Sequence, residues 1–489
     1  MGGWEATQNS AAAGSYVLGS WLFLRLLGFI YLVAFASLLV QIRGLLGRNG
    51  LLSAVELLKS RRHWGAARYW RWPTLCWWVC SDSGLLALCW GGVVLAIMLV
   101  VGVAPIPILA LLWMLYLSFF TVGRLFLCYQ WDILLLEAGF LALFLAPLEI
   151  APRFPPSSAP PMISVWLFWW LLFRLMFWSG AVKVRSGDVT WRGLNALKYH
   201  YETQPLPTRL AWYAHQLPGA AHKISAVLVL GIELGGPLLI FAPTPWRYGA
   251  AVAFLGLMVL IQLTGNFAFF NLLGVALSLL LLDDRVWLAI YRVLAHQPHW
   301  QAEPPSGHST VFSTGAAILI LILSIESVAR LFRAGIQWPR PLARLFDVLE
   351  PFHFVNSYGL FAVMTTWRPE IIVEGSYDGR HWEEYEFKWK PGDVCRGPRF
   401  VAPHQPRLDW QMWFAALGAH VSNTWFERFL ERLREGSPEV LALLAKNPFQ
   451  YEPPRYVRGV LYDYRFTTRT ERSQSGAWWQ RERRGLYKV

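Results

Sequence analysis

Six ionisable side chains stand inside otherwise apolar runs of this chain: Arg25, Asp132, Glu137, Arg174, Glu233 and Glu326. An ion in hydrocarbon costs about 3 kcal/mol or more, so such groups are expected to face the inside of a helix bundle and find partners there. Asp132 and Glu137 are five positions apart, roughly 140° round a helix, and should not share a partner. Arg174 is the expected partner of Glu137. Two uses stand open: ion pairs that fix the helices, or a polar cavity for a substrate or a proton.

Other residues capable of chemistry are scattered. Lys183, His200 and Glu202 lie in or beside a polar loop at 183–223 and are loop candidates. His215 and His222 are seven apart and would share a helical face; His296 and His299 read as surface-loop residues. The five cysteines (Cys76, Cys80, Cys89, Cys128 and Cys395) are odd in number and dispersed, unlike a disulfide framework. Cys76 and Cys80 lie four apart, which allows a thiol pair or two small buried residues. No phosphate loop, glycine-rich dinucleotide turn, zinc spacing or nucleophile elbow occurs. No metal and no cofactor is expected.

The elements that must hold the charges are long apolar runs near 20–40, 84–103, 105–123, 131–148, 163–182, 224–242, 248–264, 266–282 and 311–329. A hydrocarbon core of about 30 Å needs about 20 apolar residues in a helix. The runs are continuous rather than alternating, which favours helices over barrel strands. Many of the 28 tryptophans fall at run ends, among them Trp21, Trp131, Trp246 and Trp338, where an amphipathic ring suits the headgroup layer. The first run reads as a signal anchor. Gly231 and Gly235, one turn apart, read as a helix-packing pattern. In the loop at 41–83, Leu51, Leu52, Val55 and Leu58 recur at helical spacing and suggest a helix on the membrane surface.

The net charge of +13 is carried by loops, chiefly 41–83 and 183–223, so nucleic acid is not an expected partner; membrane lipid is. With nine spans both basic loops fall on one side, which the positive-inside rule makes cytoplasmic. That places the C-terminal region on the cytoplasmic side.

After Trp338-Pro339-Arg340-Pro341 the chain changes character. Residues 1–345 read as a transmembrane helical domain and 346–489 as a soluble α+β module, structured from near Phe352. Residues 370–374 and 384–389 read as strands joined through Asp378-Gly379, a turn that needs positive φ. Tyr385, Phe387 and Trp389 share one face of the second strand and Glu384, Glu386 and Lys388 the other. Ser437-Pro438-Glu439 reads as the start of a helix that ends at Asn447-Pro448. Val460, Tyr462, Tyr464 and Phe466 alternate as a further strand. The expected fold is a polytopic α-helical bundle of about eight or nine spans followed by a β-rich, sandwich-like domain with flanking helices.

Gln130-Trp131-Asp132-Ile133-Leu134-Leu135-Leu136-Glu137-Ala138-Gly139-Phe140, Phe173-Arg174-Leu175-Met176-Phe177, residues 198–207 (KYHYETQPLP), and Gly265-Asn266-Phe267 are blocks that resemble the lipase maturation factor family. Val355-Asn356-Ser357-Tyr358-Gly359, residues 370–375 (EIIVEG), residues 385–388 (YEFK) and residues 407–417 (RLDWQMWFAAL) continue the likeness in order along nearly the whole chain. The resemblance implies a membrane-anchored, chaperone-like factor of the endoplasmic reticulum. Its C-terminal module would meet a client protein, a secreted lipase or other hydrolase, on the lumenal side, against the loop-charge reading. The chain has no Asn-x-Ser/Thr sequon, which points to a bacterial member in a cytoplasmic membrane. The family assigns no catalytic residue. Aromatics of the module, Trp382, Trp410, Trp413, Trp478 and Trp479, are the candidates for client contact. The alternative is an integral-membrane enzyme resembling the vitamin K-dependent carboxylase group, with Lys183 or His200 as base toward a lipid-soluble cofactor.

Overall fold

A computed structural model describes residues 14–151, 154, 158–294, 303–332, 336–418 and 424–488. His296 and His299 lie outside the described residues. Among the described residues seven helices are long and apolar enough to cross a membrane: α1 Val17–Leu39, α2 Asp82–Val101, α3 Pro105–Phe126, α5 Met162–Arg185, α6 Gly219–Leu239, α7 Thr244–Thr264 and α9 Ser309–Ala329. The other two expected runs form shorter helices, α4 Gln130–Leu145 of 16 residues and α8 Phe270–Leu279 of 10 residues.

The helix ends are set by local chemistry. Asp284 reaches back to the start of α1, where its two carboxylate oxygens accept from the backbone N–H groups of Val17 and Leu18, both at 2.9 Å. A carboxylate there satisfies orphan donors and meets the positive end of the helix dipole. Ser81 caps α2 by accepting from Gly84 N at 3.1 Å. Gly102 then ends α2 in a left-handed conformation, φ +99°.

Some local expectations are corrected. The loop at 41–83 holds a helix at Ala54–Ser60. Ala54 and Leu58 of that helix are buried in protein, as is Leu51 ahead of it, so the helix packs inward instead of lying on lipid. A side chain at Gly231 would meet open space, so that glycine allows no close approach. The close approach is at Gly180 of α5, where a Cβ would lie 2.8 Å from Leu234. The helix that opens at Pro438 ends at Leu441, because the chain turns into the short strand β4, Leu444–Lys446.

In the C-terminal region, strands β1 Arg368–Ser376, β2 Glu383–Glu384, β5 Tyr456–Phe466 and β6 Trp479–Lys488 form one antiparallel sheet in the order β2-β1-β5-β6. β3, Glu386–Phe387, pairs with β4 in a second sheet. Gly379, with φ +74°, makes the turn between β1 and β2. β1 is buried along its whole length, although it carries Arg368, Glu370 and Glu374. Each is paired: Arg368 with Glu370 at 2.7 Å, Lys390 with Glu370 at 2.9 Å, Arg458 with Glu374 at 2.7 Å. Three helices of this region are α10 Arg340–Leu349, amphipathic and ahead of the sheets, α11 Arg407–Leu417, buried nearly all round against β1, and α12 Thr424–Arg434, amphipathic and packed on β5.

One buried apolar cluster runs through both regions, from Phe23 of α1 to Val457 of β5. The C-terminal region sits on a single end of the bundle. Gln41, just past α1, donates to Gln405 O at 2.8 Å. Asn266, just past α7, donates to Arg399 O at 2.8 Å and accepts from Val401 N at 2.7 Å. Both basic loops lie at the same end, through Arg43 to Glu439 at 3.1 Å and Arg368 to the Glu202 carbonyl at 2.7 Å.

Candidate functional site

The seam between the bundle and the C-terminal region gathers most of the charged candidates. α4 starts there. Its first turn carries Asp132 and its second Glu137, both buried. Arg174 of α5 pairs with Glu137, as the sequence suggested. The second oxygen of Glu137 accepts from three groups beyond the bundle: the Asn356 N–H at 2.9 Å, Asn356 Nδ2 at 3.1 Å and the Tyr358 hydroxyl at 2.7 Å. Arg174 itself donates to Asn356 O at 3.0 Å. An ion pair within the bundle is thus also the socket for the segment 355–359.

Asp132 has a partner from further along the chain. Arg407, at the start of α11, places Nη1 3.0 Å and Nη2 2.8 Å from its two carboxylate oxygens. The Tyr116 hydroxyl of α3 also donates to Asp132, and Arg407 donates to Phe126 O at 2.5 Å. The guanidinium fork matches the carboxylate on both prongs, the strong geometry for such a pair. Trp410, one turn on, packs edge-on against Trp131 with centroids 4.8 Å apart.

A third group closes the loop between α5 and α6. Lys183 Nζ lies 2.8 and 2.9 Å from the two oxygens of Glu233 and also donates to Ser179 O at 3.1 Å. His200, on the short helix Ala196–Thr203, packs edge-on to Phe361 at 4.7 Å. Burial, with the charge of Lys183 second, pushes His200 down to about 4. Its neighbour Glu202 accepts from Phe466 N at 2.7 Å and faces His215 at 3.6 Å. Burial raises the Glu202 carboxyl and lowers His215 to about 4.

The remaining candidates sit apart. Arg25 donates to Leu99 O at 3.2 Å near the end of α2 and stacks on Trp21 at 5.0 Å. Glu326, on α9, lines a surface hollow with His353 and Asn356. Among the described residues no cluster of three His, Cys, Asp or Glu side chains is placed to hold a metal.

Three of the five tryptophans expected to meet a client are buried, which corrects that reading. Trp410, Trp413 and Trp479 are 3 %, 9 % and 1 % exposed. Their rings fill the seam and the sheet. Trp413 donates to Thr203 O at 2.8 Å, and Trp479 stacks on Phe466 at 4.3 Å. Trp478 is half-buried under Arg472, and Trp382 is half-buried under Arg458. The exposed aromatics of this region are different residues: Trp367, Phe400, Phe414 and three tyrosines that cluster. Tyr451 is 98 % exposed, and Tyr377 and Tyr456 are also open. They gather at the hairpin end of the sheet, where Ser376 pairs with Tyr456 and the Tyr377 hydroxyl donates to Glu452 O at 2.8 Å.

Sequence reasoning missed Arg407, Asn356 and Tyr358 as charge partners. The signal was present: each lies in one of the ordered blocks that carry the family resemblance, away from any apolar run.

Two family descriptions match the chain. Lipase maturation factor transmembrane domain covers residues 18–289, and Lipase maturation factor C-terminal domain covers 354–489. Lipase maturation factor 2 of mouse and of human are each 37 % identical to it, over 94 % of this chain and 81 % of theirs. Lipase maturation factor 1 of cattle is 34 % identical, over 97 % of this chain and 89 % of its own length. No solved structure matches.

Proposed function

The chain belongs to the lipase maturation factor family, and on that premise we propose that it is a membrane-anchored folding factor whose client is a secreted lipase or related hydrolase. The observation that carries this reading is similarity along 94–97 % of the chain to proteins named for that role. It is a multi-pass membrane protein, with seven helices fit to span. We place it where secreted clients pass, in the endoplasmic reticulum of a eukaryotic cell or the cytoplasmic membrane of a bacterium, with the C-terminal region on the side the client reaches. The relatives give no support to the carboxylase-like alternative.

The seam gives the reading a physical form. Buried, paired charges are poor tools for catalysis and good ones for fixing orientation. They hold the sheet at one end of the bundle with its hairpin end outward. Tyr377, Tyr451 and Tyr456 there offer large amphipathic rings at low entropic cost to exposed apolar surface on a partly folded client.

The test is co-expression of the full chain with a secreted lipase. Wild type should raise secreted lipase activity and co-precipitate the enzyme. Replacing all three tyrosines by alanine should abolish both while leaving the factor's abundance unchanged. Equal rescue by the triple variant would contradict the assigned surface. Compartment is tested at exposed Cys395, in a Cys128→Ser background because Cys128 is also exposed. An impermeant maleimide should label it from the lumenal or outer side. Labelling from the cytosol alone would restore the charge-based orientation and exclude a secreted client.

A further inference from the structure

A cavity of about 90 Å³ lies where α5, α6 and α7 meet the loop after α5. Its walls are apolar except at one end. There the Lys183–Glu233 ion pair and the His200 ring line it. The ion pair is internally neutral, and the ammonium has already placed its three bonds on Glu233 and Ser179. His200 is different. Among the described hydrogen bonds none reaches its ring, whose neighbours are the aromatic faces and edges of Tyr201, Phe267 and Phe361. A neutral imidazole there offers one donor and one acceptor that no described protein group uses.

The walls also show a route in. Val229 of α6 and Leu257 and Ile261 of α7 line the cavity. α6 and α7 are the two least buried of the candidate spans, 28 % against 67 % for α5, so their outer faces are the ones most open to acyl chains. The volume is below the ~150 Å³ that admits a benzene ring, so the cavity holds a small head of a few heavy atoms, and a chain attached to it must run outward between α6 and α7.

We propose that this cavity is a lipid site that takes an uncharged hydroxyl or ester head, hydrogen-bonded to His200, while its one acyl chain runs outward between α6 and α7. The ligand class is a neutral single-chain amphiphile of the monoacylglycerol type. Its source is either the bilayer or glyceride released nearby. A free fatty acid is disfavoured, because its anion finds no uncompensated cation at the polar end.

The site is tested with the full chain in nanodiscs and a photoactivatable, clickable monoacylglycerol, with no lipase present, so the result is independent of the client reading. Labelling should saturate and map to peptides holding Val229 and Ile261. Unlabelled monoacylglycerol should compete, and oleate should not. Leu257→Trp fills the cavity and should lower labelling about tenfold, roughly the loss of one well-made contact set. His200→Phe keeps the ring shape and should lower it about fivefold to tenfold, while His200→Gln keeps a donor and an acceptor and should retain most of it. Unchanged thermal unfolding of the two His200 variants separates loss of ligand from loss of fold. Non-saturating labels spread equally over the outer faces of α2 and α9, or competition by oleate ahead of monoacylglycerol, would overturn the proposal. Monoacylglycerol that co-purifies with the full chain from membranes holding no lipase would identify the bilayer as the source.

Discussion

Helices α4 and α7 have much the same apolar composition and live in different solvents. α4 buries 11 of its 16 residues, two carboxylates among them, against neighbouring helices and the C-terminal region. α7 buries 5 of its 21 and turns Val252, Val259 and Leu260 outward. Hydropathy ranks the two alike, because it measures what a residue dislikes and not what surrounds it. The charges tell them apart. A carboxylate is retained only where protein supplies its partner, so Asp132 and Glu137 mark α4 as a helix wrapped by protein. α7 between Thr244 and Thr264 carries one charged residue, Arg247, in its first turn.

The contrast breaks most sharply if α4 loses its distant partner. Arg407→Met should cost about 3–5 kcal/mol, because Asp132 is left charged and buried. Thermal unfolding of the purified chain in detergent measures it, and a much smaller loss would mean that Asp132 is hydrated. Tyr358→Phe removes one hydrogen bond to the Glu137 carboxylate and keeps the ring. It should cost about 1.5–3 kcal/mol in the same measurement.

Acid should weaken the seam through a histidine. His404 hydrogen-bonds the Ser37 hydroxyl at 2.9 Å, linking the C-terminal region to α1. Burial first, and the charges of Arg407 and Lys388 after it, push His404 down to about 4. The unfolded chain takes up that proton near its ordinary value of about 6.5. The stability from this group is therefore present above about pH 6.5 and lost as pH falls toward 4, at up to about 1.4 kcal/mol per pH unit. His200 and His215 are lowered by burial in the same sense. His404→Gln should flatten the slope between those limits, and an unchanged slope would assign the effect elsewhere. At the other extreme, Leu260→Val on the outer face of α7 should change stability by no more than about 0.5 kcal/mol. A large effect there would mean that α7 is covered by protein.

What could be read from the sequence follows the same division. Long apolar runs, the β1–β2 turn and the alternation in β5 are local signals, and the structure has elements at those places. The Glu137–Arg174 pair was legible because both members sit in runs and each needs an opposite charge. Arg407 was not, because nothing local to 407 says that its carboxylate lies 275 positions earlier. The tryptophans misled for a related reason. An aromatic on a strand or helix reads as available surface until the element that covers it is known, and Trp413 is covered by the end of the short helix Ala196–Thr203. The helix expected to run from Pro438 to Asn447 failed where local propensity gave way to pairing, since Leu444 and Lys446 form bridges to β3.

Buried charges join the bundle and the C-terminal region into a single mechanical unit. A double-mutant cycle on Asp132→Asn and Arg407→Gln, read by thermal unfolding of the full chain, probes that coupling without an intermediary. We expect a single cooperative transition and a coupling energy of about 1–3 kcal/mol, with the double variant less damaged than the two losses added. Losses that add to within about 0.5 kcal/mol, or a C-terminal region that melts separately while the bundle transition stays put, would contradict it.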